Sequence, residues 1–227
     1  MGILLGLMVV MSGCRKVQNA FEQRIQEGII HYDITFPYAK EGGLVSSMLP
    51  DKMTMKFEKG RYVTEIKAGM GMFKMRILSN NKKKILHQTV DMMKEKLMVE
   101  LNEHGAKQML DRFPALKIIS TPHRDTLGGL PCKKALGLFA PADQPQMDIY
   151  HTDRIALKNP NWWSQFHELD GVLMGYEVMR FGKRMRLRAT KVEAKEIPDK
   201  AFSTKEYEKV SLKEMNKTMQ KLMKSLE

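Results

Sequence analysis

The feature that most constrains the fold is an alternation of apolar and polar side chains with a period of two residues. Ile30, Tyr32, Ile34 and Phe36 alternate with polar residues, and Pro37 ends the run. Such alternation is typical of a β-strand with one buried face. Strand-like patterns recur between turn residues in ten further segments, at residues 53–57, 62–66, 73–77, 85–90, 97–101, 116–121, 133–139, 147–152, 172–181 and 185–196.

Helical spacing interrupts this pattern in three places. Residues 103–112 carry Ala106, Met109 and Leu110 at helical spacing and precede Pro114. Residues 159–166 are typical of a short capped helix with exposed to half-buried indoles. From about residue 211 one apolar stripe predicts an amphipathic C-terminal helix, and it consists of Leu212, Met215, Met219, Leu222, Met223 and Leu226.

Short turns join most successive strands, and no strand–helix–strand alternation occurs. Neighbouring strands are therefore expected to be antiparallel. The sequence predicts a mainly β fold with a few helices. Its core is one large curved antiparallel sheet, with a short central helix and a C-terminal amphipathic helix.

The amino-terminal segment predicts export. Residues 2–13 carry no charged side chain, and residues 3–11 are almost wholly apolar. This run is too short for a helix that spans a bilayer, which needs about 20 apolar residues. It has the length of a secretory h-region, about 7–15 residues, which small residues follow at the cleavage site. Ser12 and Gly13 supply that ending, so cleavage is expected between Gly13 and Cys14.

Residues 11–14, with the sequence MSGC, resemble the lipobox of bacterial lipoproteins. That resemblance implies that Cys14 is diacylated and becomes the new amino terminus. More than one acyl chain is also what stable membrane anchoring requires. Residues 1–13 would be the signal peptide, residues 14–22 the lipidated cysteine with a short tether, and residues 23–227 a single sheet domain. A buried apolar strand with a chance cysteine is the alternative interpretation.

The residues after the lipobox indicate where such a lipoprotein would reside. Arg15 is not the Asp that marks retention in the inner membrane of enteric bacteria, and no acidic run follows Cys14. The resemblance therefore implies a protein of the cell envelope, lipid-anchored at the outer membrane and facing the periplasm.

The net charge of +12 suggests an anionic partner. The positively charged side chains cluster in two places. One is residues 82–84, at an expected hairpin tip, and the other is residues 183–188, where Arg184, Arg186 and Arg188 share one strand face. Such a face is usually solvated. For an exported protein, anionic lipid head groups are a better match than nucleic acid, so no nucleic-acid partner is expected.

Three short motifs occur in order along the sheet-rich part: residues 128–135 (GGLPCKKA), 149–153 (IYHTD) and 170–173 (DGVL). Together with the lipobox, they are similar to uncharacterised Gram-negative lipoproteins of the GLPGLI and related groups. These in turn resemble LolA/LppX-type carriers, in which a half-open antiparallel barrel wraps a helix and holds acyl chains on its concave face. The resemblance brings no catalytic residues with it.

The 20 methionines suggest what such a concave face would bind. Thioether side chains adapt to flexible apolar partners, although they also serve as plain core filler. The candidates for lining a lipid site are Met53, Met55, Met75, Met98, Met147, Met215 and Met219.

Catalytic and metal motifs are lacking. The sequence has no Gly-x-Ser-x-Gly or His-Glu-x-x-His motif and no phosphate loop. The pairs His31/Asp33 and His151/Asp153 each offer two ligands, fewer than a zinc site requires. Cys132 is interpreted as a packed thiol. We expect a non-enzymatic lipoprotein, without cofactor or metal, that binds a lipid or other apolar ligand. The alternatives are a scaffold lipoprotein that docks on another envelope protein and a hydrolase with a dispersed site.

Overall fold

A computed structural model describes residues 24–38, 49–92, 95–111, 113–139, 146–180 and 183–225, except for the side chains of Met70 and residues 222–225. The helices are α1 (Glu103–Leu110) and α2 (Leu212–Ser225). The strands are β1 (Glu27–Thr35), β2 (Lys52–Glu58), β3 (Arg61–Ala68), β4 (Phe73–Asn80), β5 (Ile85–Met92), β6 (Glu95–Leu101), β7 (Leu116–Leu127), β8 (Leu130–Phe139), β9 (Met147–Thr152), β10 (Val172–Arg180), β11 (Lys183–Ala194) and β12 (Glu208–Lys209).

All twelve strands belong to one sheet, in the order β12-β6-β5-β4-β3-β2-β1-β11-β10-β9-β8-β7. Strands β1 to β6 form one meander and β7 to β11 a second, so each strand within a meander pairs with its neighbour in sequence. The two meanders join where β1 pairs with β11, with Ile34 opposite Leu187 and Tyr32 opposite Ala189. The prediction of a mainly β fold with a large curved sheet is confirmed.

Chain connectivity requires the sheet to curve. In the sheet order β6 and β7 are ten strand spacings apart, which would be about 48 Å in a flat sheet. The chain joins these strands through residues 102–115, of which eight form α1. Such a connection spans at most about 33 Å. The far strands therefore bend towards each other, and the sheet remains open rather than closing into a barrel.

Two details of the prediction are wrong. The sheet is mixed rather than purely antiparallel, because β12 runs parallel to β6, with Glu208 opposite Leu97. The two-residue strand β12 follows a long irregular stretch and has no alternation of its own. Residues 159–166 form successive turns rather than a helix. Asn159 adopts a left-handed backbone conformation there, with φ of 46°. Separate turn hydrogen bonds, such as that from the Ser164 N–H to the Asn161 carbonyl oxygen at 2.9 Å, replace a continuous helical ladder.

The main hydrophobic core lies on one face of the sheet, here called the inner face. Ile30, Tyr32 and Phe57 are almost completely buried there, together with Met174 and Leu187. Met215 of α2 belongs to the same cluster. A second cluster joins β8, β9 and β10 to the segment before β10, and consists of Ala135, Met147, Ile149, Phe166, Leu169 and Leu173.

Candidate ligand cavity

A cavity of about 300 Å³ lies against the inner face of the sheet. Most of its strand residues come from the centre of the sheet, where β1 to β4 and β10 to β11 meet, and Phe139 comes from the end of β8. Its other walls come from Met109, Leu110, Phe113 and Pro114, at and after the end of α1, and from residues 160–166, here called the cover segment, of which all but Trp162 line the cavity.

Strand register explains why the floor is apolar. Met53 of β2 lies opposite Ile66 of β3, which lies opposite Met75 of β4. In the next row, Met55 lies opposite Thr64, which lies opposite Ile77. Residues of one row share a face because side chains alternate along each strand. All six side chains line the cavity, and Thr64 is the only polar one among them.

Hydrogen bonds fasten the cover segment to the sheet. The Tyr62 hydroxyl donates to the carbonyl oxygen of Pro160 at 2.9 Å and accepts the indole N–H of Trp163 at 2.6 Å. The Trp162 indole donates to the Ser79 hydroxyl at 2.8 Å. Burial raises the pKa of Tyr62, so its hydroxyl remains a donor at neutral pH.

Within the chain stretch that contains the cover segment, buried Asn161 fixes the local path. Its side-chain amide donates to the carbonyl oxygens of Leu169 and Gly171, at 2.8 and 2.9 Å. Gly171 has φ of 84°, and a Cβ at this position would lie 2.2 Å from the carbonyl oxygen of Thr152. Only glycine fits this junction, which turns the chain into β10.

The cavity wall includes one charged side chain, Arg180. Tyr176, Val178 and Arg180 alternate along β10, and all three line the cavity. Arg180 is partly buried, and desolvation lowers its pKa. Burial raises the pKa of the neighbouring Tyr176, and the two groups interact electrostatically. The Tyr32 hydroxyl, in contrast, already donates to the carbonyl oxygen of Leu173 at 2.8 Å.

The structure places three of the seven candidate methionines, Met53, Met55 and Met75, in the cavity wall. The other four lie elsewhere. Met147 is buried in the second core cluster, while Met215 is buried in the main cluster and Met219 packs against it. Met98 lies on the outer face of the sheet, because it lies opposite Thr89, which lies opposite Arg76. Composition identifies methionines but does not assign them to a face.

Sequence reasoning missed the charged lining residue and part of the apolar wall. Arg180 continues the alternation of Tyr176 and Val178 and therefore shares their face, a signal that was available in the sequence. Met109, Met179 and Met185 also line the cavity. Their contribution depends on how α1 and the β10–β11 hairpin are placed, which no local pattern encodes.

The remaining candidate chemical groups are occupied elsewhere. His31 contacts Glu193, while Asp33 pairs with Lys52 at 2.8 Å. His151 hydrogen-bonds to the Asp170 carbonyl oxygen, and Asp153 pairs with Lys133. Among the described residues, no group of three or more His, Cys, Asp or Glu side chains is placed to hold a metal ion.

Cys132 is a free, buried cysteine, and burial raises its pKa to about 11. The interpretation as a packed thiol is confirmed. Its side chain contributes to the main hydrophobic core.

The arginine-rich strand β11 is partly neutralised. Arg184 and Arg186 both pair with buried Glu177, and the Arg186 Nε lies 2.7 Å from its Oε1. Arg188 pairs with Asp125 at 3.3 Å. This face is therefore not a continuous strip of unpaired cations.

The residues of the expected signal and lipidation site, Gly13 and Cys14, lie outside the described part of the chain. Over the residues that the structure does describe, neither helix has the length and apolar character needed to cross a bilayer. Comparison with protein-family models found no match. Comparison with curated proteins found no significantly similar sequence.

Proposed function

We propose that this chain is a non-enzymatic lipoprotein of the cell envelope that holds a lipid or other apolar ligand in its cavity. Acyl chains on Cys14 would anchor it, in the outer membrane facing the periplasm. The observation that carries the ligand-binding part is the apolar cavity on the inner face of the sheet. The lipobox-like residues 11–14 support the anchor.

The size of the cavity suits a single hydrocarbon chain. Its volume of about 300 Å³ is at the lower end of the range of ligand pockets, about 300–1,000 Å³. An engineered apolar cavity of about 150 Å³ already binds benzene and excludes water. An alkyl chain therefore has both the room and the apolar surroundings that it needs.

Exposed apolar side chains support entry from a hydrophobic source. Phe113 is 38% exposed and Met179 is 50% exposed, and both belong to the cavity lining. Large apolar side chains that line a cavity and also face solvent are suited to receiving a ligand with little exposure of its chain to water.

Trp163 lines the cavity, so indole fluorescence can report on occupancy. Titration with octan-1-ol, decan-1-ol and dodecan-1-ol should give saturable changes. Each buried methylene contributes about 0.8 kcal/mol, so two extra methylenes should tighten Kd by roughly tenfold or more. The absence of saturable binding by all three alcohols would refute the proposal.

A scaffold role is the second candidate, and strand β7 favours it. Strand β7 forms one edge of the sheet, and Ile119 within it is 39% exposed. An unpaired strand edge can accept a strand from another protein. Photocrosslinking from position 119 in cells would test this role. One dominant protein adduct supports it, and the lack of any specific adduct excludes the β7 edge as a docking site.

A further inference from the structure

The charge of the cavity wall narrows the class of ligand, and this step rests on the proposed function. Of the described residues that line the cavity, only Arg180 carries a charge at neutral pH. Apolar side chains form most of the rest, with tyrosine hydroxyls and a few uncharged polar groups among them. The cavity thus combines a long apolar wall with a single cationic position.

Arg180 differs from the other arginines of its hairpin. Arg184 and Arg186 pair with Glu177, and Arg188 pairs with Asp125. No carboxylate in the described part of the chain forms an ion pair with Arg180. A guanidinium that is partly removed from water without a counter-charge is unfavourable, and an anion at this position would compensate it.

Tyr176 provides a second donor on the same strand face. Its hydroxyl has no hydrogen-bond partner among the described residues, and it interacts electrostatically with Arg180. Burial raises the pKa of Tyr176, which keeps the hydroxyl protonated and able to donate at neutral pH.

We propose that the ligand is a fatty acid, whose carboxylate binds Arg180 and Tyr176 while its alkyl chain lies along Met53, Met55 and Met75. A guanidinium donates two parallel N–H bonds to a carboxylate, which fixes the orientation of the head group. A monoanionic carboxylate also matches the single positive charge. A phosphate monoester would bring nearly two negative charges into the same wall and leave one of them uncompensated.

Three probes with the same alkyl chain test the head group: dodecanoate, dodecan-1-ol and dodecyl phosphate, titrated into the full 227-residue chain at pH 7.5. We expect dodecanoate to bind at least tenfold more tightly than dodecan-1-ol, because charge-assisted hydrogen bonds exceed neutral ones in strength. Dodecyl phosphate should bind more weakly than dodecanoate. Tighter binding of the phosphate would overturn the assignment to a carboxylate.

Substitution at position 180 locates the interaction. Arg180→Gln should remove the preference for dodecanoate while dodecan-1-ol keeps its affinity within about threefold, which also shows that the cavity is intact. Arg180→Lys should retain part of the preference, and Tyr176→Phe should reduce it. Arg188→Gln is the matched control, because it removes one positive charge from an exposed position away from the cavity lining.

The outcomes separate this inference from the proposed function. If dodecan-1-ol and dodecanoate bind the unmodified protein equally, the cavity takes apolar ligands but the carboxylate assignment fails. A preference that survives Arg180→Gln, or that disappears in Arg180→Lys, also overturns the assignment to Arg180. If neither probe binds the unmodified protein, both proposals fail together.

Discussion

The indole N–H of Trp163 donates to the hydroxyl of Tyr62 across 2.6 Å, although 101 residues separate the two in the sequence. Tyr62 also donates to the carbonyl oxygen of Pro160. One phenol therefore joins a backbone carbonyl and an indole side chain of the cover segment to strand β3. The cover segment owes its position over the cavity to such hydrogen bonds rather than to a helical ladder.

Removing this hydroxyl should loosen the cover segment. Tyr62→Phe leaves a buried carbonyl and an indole N–H without their partner, which costs about 1–3 kcal/mol of the free energy of unfolding. Urea denaturation followed by tryptophan fluorescence measures the change. Tyr38→Phe is the control, because Tyr38 is 58% exposed and should change the free energy of unfolding by less than about 0.5 kcal/mol. Equal effects of the two substitutions would contradict the role of Tyr62.

Filling the cavity should weaken the binding of alkyl ligands. Thr64 lines the cavity, whereas Thr54 lies on the outer face in the neighbouring strand, and both are half-buried. Thr64→Phe should weaken dodecan-1-ol binding by at least tenfold, because the new ring occupies space that the ligand needs. Thr54→Phe should leave the affinity within about twofold. A loss of affinity only in the Thr54 variant would refute this location for the ligand.

The pairing of Glu177 with two arginines should be important for stability. Its side chain is 6% exposed and that of Arg184 is 11% exposed. Glu177→Gln removes the buried carboxylate that Arg184 and Arg186 share, so we expect a loss of about 3 kcal/mol. Asp125→Asn breaks the exposed pair with Arg188 and should cost less than about 1 kcal/mol. Denaturant titration of both variants checks the difference, and similar losses would contradict the prediction.

Cys132 should react slowly with iodoacetamide in the folded protein. Burial raises its pKa to about 11, against an ordinary thiol pKa of about 8.5. At pH 8 the reactive thiolate is therefore scarcer by a factor of about 200 than in the unfolded chain. Its rate should rise as the pH approaches 11. Mass spectrometry of the Cys132 peptide measures labelling with and without urea, and fast labelling without urea would disprove the burial of this thiol.

The anchor can be tested independently of the cavity. Radiolabelled palmitate supplied to bacterial cells should be incorporated into the unmodified chain and not into Cys14→Ala. The variant should also be released from membranes or remain an uncleaved precursor. Cys132→Ala is the matched control and should be labelled normally. Normal processing and membrane retention of Cys14→Ala would contradict the lipoprotein assignment.

The sequence predicts the strands well because each one carries its own information. Alternation within five to twelve residues determines which side chains share a face, and all eleven strands predicted in this way are present. The signals for helices α1 and α2 are equally local, because the apolar spacing of each helix lies within its own segment. The cap of α1 is also local: the Asn102 side chain accepts a hydrogen bond from the Gly105 N–H at 2.9 Å.

The cavity is less predictable because it depends on long-range placement. Alternation already separates Met98, which shares its strand face with Lys96 and Glu100, from the apolar inner face. It does not show that Met147 and Met215 are buried in packed core rather than in the cavity wall. The cover segment has no helical order of its own. Local turns and the Asn161 amide shape it, and hydrogen bonds to residues about 80 to 100 positions away hold it over the cavity. Strand β12 pairs with β6 at a separation of more than 100 residues, so no alternation signals it.

The pairing of β1 with β11 has a consequence for folding. The first meander is complete once residue 101 has been synthesised. The edge of β1 that does not pair with β2 has no partner until residues 183–194 of β11 are present. Contacts at such separation form slowly, because most of the loop entropy must be lost before they contribute. A chain interrupted before residue 183 would expose a long unpaired strand prone to aggregation. Nearly the whole polypeptide must therefore be synthesised before native assembly finishes.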